Sequence, residues 1–141
     1  LADFIAQQGS RVLAIDNDHQ GNLTQYFGLD PVKLDQGAGT MYHVITGEKS
    51  LADIIVRVTD KIHVAPSALS LAEAGAQLVL KTDVNGVLKR ALEPVRDDYD
   101  VILIDCGPNL ERLLINALVA CDYVLIPTKT DGMSISGITV M

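Results

Sequence analysis

The sequence predicts an α/β fold, a doubly wound and mostly parallel sheet, on three observations. Four short apolar runs each end abruptly on Asp or Pro, and strands so continuously apolar suit a sheet covered on both faces. Helical patterns lie between the runs, as the right-handed crossovers between parallel strands require. The 141 residues, 48% hydrophobic and 21% charged, are enough for one ordinary domain with a real core.

The elements follow in chain order. Leu1, Phe4 and Ile5 mark one face of an opening helix that Gly9 stops. Arg11 to Ile15 is the first strand, ending on Asp16. Gly28 to Gly39, with Pro31 and three glycines, reads as an exposed loop, and short helices follow around Met41 to Ile45 and Leu51 to Val56. Lys61 to Ala65 is the second strand, ending on Pro66. A helix over Ser70 to Leu80 opens on a Ser70/Glu73 capping box, with Leu71, Gly75, Leu78 and Val79 on one face. Val84 to Val95 is helical by its spacings of three and four, and Pro94 ends it early. Asp100 to Ile104 is the third strand, ending on Asp105; a helix runs from Asn109 to Cys121 with Leu110, Leu113, Leu114, Ala117 and Leu118 inward; Tyr123 to Ile126 is the fourth strand, ending on Pro127.

Composition excludes several functions. The longest apolar stretches, Val101 to Ile104 and Ala117 to Cys121, fall far short of the ~18 residues of a membrane span. Eleven basic against eighteen acidic residues give −7, so the phosphate backbone repels this stretch. Six Tyr and Phe and no Trp leave little for stacking bases. Cys106 and Cys121 lack metal-ligand spacing and read as buried free thiols of a reducing cytoplasm. There is no H-E-x-x-H and no G-x-S-x-G, and His43 and His63 read as ordinary loop and strand residues.

In open parallel sheets ligands bind beyond the carboxyl ends of the strands. Three segments fall there: Asp16-Asn-Asp18-His-Gln20-Gly-Asn22, Asp105-Cys-Gly-Pro108-Asn109, and Pro127-Thr-Lys129-Thr-Asp131-Gly132. An Asp closing a hydrophobic strand suits Mg²⁺, which takes hard oxygen ligands, keeps several waters and needs only one or two carboxylates. Asp105 has the form of a Walker B aspartate. An Asp there is equally a helix cap or turn residue. In the first segment Gly21 favours a turn, and one carboxylate suffices for the metal while the other orients a water; a solvated acidic turn is the alternative.

Gly9-Ser-Arg11-Val-Leu-Ala-Ile15-Asp-Asn-Asp18-His-Gln20-Gly-Asn22 resembles the second-strand motif of the ParA/Soj partitioning ATPases. Gly39 to Gly47, Pro66-Ser67 through Leu80, Tyr99 through Leu118, and Val124 to Pro127 resemble further family segments in order, so the resemblance spans essentially the whole chain. It implies a P-loop NTPase-type sheet, Mg²⁺ and ATP, and a homodimer formed on ATP. It also implies a ParB-like adaptor, nonspecific DNA binding and residence in the cytoplasm on the nucleoid, with no membrane attachment. Residue by residue, Asp18 matches the aspartate that positions the attacking water, Asp16 its partner near magnesium, and Asp105 the Walker B aspartate that reaches Mg²⁺.

The chain departs from the pattern in three ways. His19 replaces a proline and reads as a tolerated surface substitution, while Gly107-Pro108-Asn109 replaces Pro-Pro-Ser, with Gly107 loosening the loop. No G-x-x-x-x-G-K-[ST] occurs, so the nucleotide-binding loop is not among these residues and is expected upstream of Leu1. Leu1 falls within an apolar period and Ser134 to Met141 begin a helix. Residues 1–141 therefore read as one domain, incomplete at both ends, that turns over no ATP alone. The readings that compete are a non-catalytic truncated adaptor, a MinD-like division-site ATPase, which needs an amphipathic membrane helix, and a receiver-type phosphoacceptor domain. The 89 residues between Asp16 and Asp105 are too many for the last.

Overall fold

The computed structural model describes residues 1–78, 83–108 and 112–127. Its elements are α1 (Ala2–Gln7), β1 (Val12–Asn17), α2 (Asn22–Tyr26), α3 (Pro31–Gln36), α4 (Met41–Thr46), α5 (Leu51–Ile54), β2 (Val56–Arg57), β3 (Ile62–Ala65), α6 (Leu71–Gln77), α7 (Val87–Leu92), β4 (Val101–Cys106) and α8 (Arg112–Ala120). The sheet runs β2-β3-β1-β4. The β1 strand is parallel to both β3 and β4, and only the two-residue β2 is antiparallel.

Helices cover both faces, as the apolar strands require. Leu13 and Ile15 of β1 enter the main core with Met41, Ile45, Leu71, Leu88 and Leu113 from the helices between β1 and β3 and those on either side of β4. Ala14, Ile62 and Val64 face the other way, under Ala6 of α1 and Leu23 and Phe27 around α2. Alternation at period two therefore splits each strand between two apolar layers. No helix among the described residues is long and apolar enough to cross a membrane.

Several expectations are corrected. The stretch read as an exposed loop holds α3. Pro31 is its first residue and Asp30 caps it, accepting from the Val32 and Lys33 N–H groups. Proline there starts a helix, because the N–H it lacks has no partner in a first turn. Ser70 forms no capping box; its hydroxyl donates to Asp35 at 2.8 Å instead. Leu118 of α8 is 46% exposed. The inward stripe of α8 is filled by Leu113, Asn116 and Ala117, and Asn116 ties it to α7 by accepting from the Leu88 N–H and donating to the Val84 carbonyl. The two cysteines are half-buried rather than buried.

Tyr123 to Ile126 are exposed and belong to no strand. An apolar run becomes a strand only beside a neighbour that takes its backbone bonds, and a sequence pattern does not report the neighbour. Val79 and Leu80, Asn109 to Glu111, and Lys129, Asp131 and Ser134 to Met141 lie outside the described residues.

Candidate functional site

Parallel pairing places two of the three aspartates. Val12 to Asn17 align residue for residue with Val101 to Cys106, so Asp16 stands beside Asp105 in register at the carboxyl end of the sheet. Adjacent strands lie about 4.8 Å apart, and partners in register face the same side. That side carries α2, whose Thr24 holds Asp16.

Asp16 has no exposed surface. Its Oδ2 accepts the Thr24 N–H at 2.8 Å and the Thr24 hydroxyl at 2.6 Å, and its Oδ1 accepts the Asp18 N–H at 3.4 Å. Burial pushes its pKa above the ordinary range, and the Thr24 bonds pull the other way. Asp105 is exposed at the strand end. Its pKa is also raised, first by partial desolvation and then by the charges of Asp16 and Asp18.

The turn expected at Gly21 is present. Gly21 adopts φ +64°, its N–H donates to the Asp18 carbonyl at 3.1 Å, and its α-carbon faces the Ser67 carbonyl. Asp18 is half-buried in this turn; its Oδ1 accepts the Gln20 N–H at 3.1 Å and lies 3.5 Å from His19 Nδ1. A cleft of about 190 Å³ opens between the two loops, lined by Asn17, Asp18, His19, Gly107, Pro108 and Leu113 among others.

Gly107 lies against the Asp18 carboxylate. A β-carbon on it would stand 3.2 Å from the Asp18 carboxyl carbon, so the glycine lets the loops after β1 and β4 touch. Sequence reasoning missed Thr24 and Asn17. Asn17 is 2% exposed and donates to the Leu113 carbonyl at 3.0 Å, fixing the β1 end to α8. Neither spacing nor composition singles these residues out; Asn17 falls within the Asp16 to Asn22 segment and Thr24 lies two residues beyond it. Lys129 lies outside the described residues.

Among the described residues no group of three or more His, Cys, Asp or Glu side chains is arranged to hold a metal ion unaided. Asp105 presents an exposed hard-oxygen donor of the kind hydrated Mg²⁺ accepts, beside neighbours whose charges repel its own.

Comparison with known proteins identifies the family. The profile of a family described as AAA domain matches residues 1–141. The sporulation initiation inhibitor protein Soj of Bacillus subtilis is 38% identical over 140 residues, covering 99% of this chain and 54% of Soj. The chromosome partitioning protein ParA of Myxococcus xanthus is 32% identical over 99% of this chain and 48% of its own length. The chain thus spans about half the length of these curated relatives. Cobyrinic acid a,c-diamide synthase from Mycobacterium smegmatis, crystallised with an ATP analog and magnesium, superposes with a TM-score of 0.80 at 36% identity, over 85% of this chain and 48% of that one.

Proposed function

The chain belongs to the AAA domain family, as a ParA/Soj-type ATPase, and from that premise we propose that the protein binds and hydrolyses Mg-ATP, dimerises on ATP and drives partition of a chromosome or plasmid. The observation that carries this reading is the in-register pair Asp16 and Asp105, with Asp18 in the adjoining turn against Gly107.

Each aspartate has a distinct part. Asp18, half-buried and steadied by the Gln20 N–H, orients the attacking water. Asp105, exposed at the end of β4, would hold Mg²⁺, and Asp16 sets the negative field beside it. Magnesium, when bound, supplies the charge that phosphate oxygens need as the bond to the leaving group breaks. Positioning and electrostatics of this kind suffice for phosphoryl transfer, which asks little covalent chemistry of the protein.

The 141 residues hold no phosphate-cradling G-x-x-x-x-G-K-[ST], so the proposed turnover is that of the complete gene product and not of this stretch alone. The net charge of −7 disfavours contact between this stretch and the DNA backbone. A ParB-like adaptor and a cytoplasmic, nucleoid-bound location complete the reading, on the strength of the relatives' partitioning role.

The test is nucleotide binding by the complete gene product with and without Mg²⁺. A fluorescent ATP analogue binds more tightly with the ion in the wild type, and Asp105→Asn removes most of that difference. Binding insensitive to both magnesium and Asp105→Asn sinks the assignment.

A further inference from the structure

The geometry points to Thr24 as a positioning residue that latches Asp16, and through it the turn carrying Asp18, to the end of β3. Thr24 is fully buried and uses one hydroxyl in both directions. Its proton goes to Asp16 Oδ2 at 2.6 Å, and its oxygen accepts the Ser67 N–H at 2.9 Å. A hydroxyl has one proton and two lone pairs, so the two bonds fix its rotor. The Thr24 N–H adds a second bond to the same carboxylate oxygen at 2.8 Å.

Three chain segments meet at this oxygen pair. Asp16 ends β1, Thr24 lies in α2, and Ser67 follows Pro66, whose carbonyl takes the Met41 N–H at the start of α4. The stretch from Asp16 to Thr24 is therefore closed at both ends, and Asp18 sits inside the closed loop. Within it, the Asp18 N–H leans on Asp16 and the Gly21 N–H on the Asp18 carbonyl. A turn so closed has little freedom to carry Asp18 away from Gly107.

Valine has the shape of threonine without the hydroxyl. In T24V the Ser67 N–H is buried without its acceptor, and Asp16 keeps one of its two donors on Oδ2. T24S keeps both bonds. The consequence for catalysis rests on the ATPase reading above; the latch itself does not.

Two readouts on the complete gene product separate these. In amide hydrogen exchange, Ser67 exchanges about tenfold faster in T24V and near the wild-type rate in T24S. In steady-state Mg-ATP hydrolysis, T24V lowers kcat by about ten- to a hundredfold, the effect of a reacting group misplaced by an ångström, with KM for ATP little changed; T24S recovers most of the loss. Should T24V not fold, T24A serves as the hydroxyl-free variant. Unchanged Ser67 exchange in the hydroxyl-free variant overturns the latch. A kcat loss shared by T24S, or one that tracks KM and melting temperature together, overturns the positioning role. If the wild type hydrolyses no ATP, the ATPase reading fails, and with it the catalytic role; the exchange result alone then decides the latch.

Discussion

β1 and β4 carry nearly the same message, Val-Leu-Ala-Ile-Asp and Val-Ile-Leu-Ile-Asp, in matched register, yet every residue of β1 is buried and none of β4 is. The difference comes from neighbours. Among the described residues β1 lies between β3 and β4, whereas β4 has a paired strand on one side. The same contrast divides the aspartates, for Asp16 is buried under two Thr24 bonds while Asp105 faces solvent. One register thus sets a carboxylate held by two bonds beside one that the described residues leave exposed.

Truncations test that contrast most strongly. Ile15→Ala removes a side chain with no exposed surface from the centre of the sheet and costs about 2–5 kcal/mol in urea unfolding. Ile104→Ala, on the half-exposed strand, costs about 1–2 kcal/mol because less area returns to water. Equal losses break the comparison.

Charge gives the next effect. The Asp105 pKa is raised in the folded state by desolvation and by Asp16 and Asp18, so above the ordinary carboxylate value the native protein holds more protons than the unfolded chain. Its stability contribution is present at low pH and lost as pH rises through the raised value. Asp105→Asn removes that loss and raises Tm at pH 7, as thermal melts will show.

His63 shifts the opposite way. Its Nδ1 meets the Tyr99 hydroxyl at 2.9 Å, and burial, with help from Arg57 and Arg11, lowers its pKa below the ordinary 6.5. The unfolded chain then binds the proton first, so stability is present above 6.5 and declines as pH falls through the folded value. His63→Gln flattens that acid-side slope of Tm. The smallest effect belongs to the exposed run after α8. In the 141-residue chain Leu125→Ser changes stability by less than about 0.5 kcal/mol, since the side chain is already 75% exposed, while the lost apolar surface lowers aggregation in light scattering.

These contrasts also mark what the sequence could tell. Three of the four expected strands and the aspartates at two of their ends were legible because apolar runs and abrupt Asp residues follow from burial and ligand chemistry. Helix α3 was hidden by reading Pro31 as a breaker, and the inward place of Asn116 by assigning the inner face of α8 to leucines. Thr24 was invisible for a different reason. Its role depends on Ser67, 43 residues away, and only the fold brings the two together.

The central claim is that Asp18 serves hydrolysis rather than binding. Single-turnover hydrolysis of Mg-ATP by the complete gene product, wild type against Asp18→Ala, addresses it directly. The account predicts equal ATP affinity and a hydrolysis step slower by about a hundredfold or more in the variant. Hydrolysis at the wild-type rate in Asp18→Ala, or no ATP bound by either protein, would contradict it.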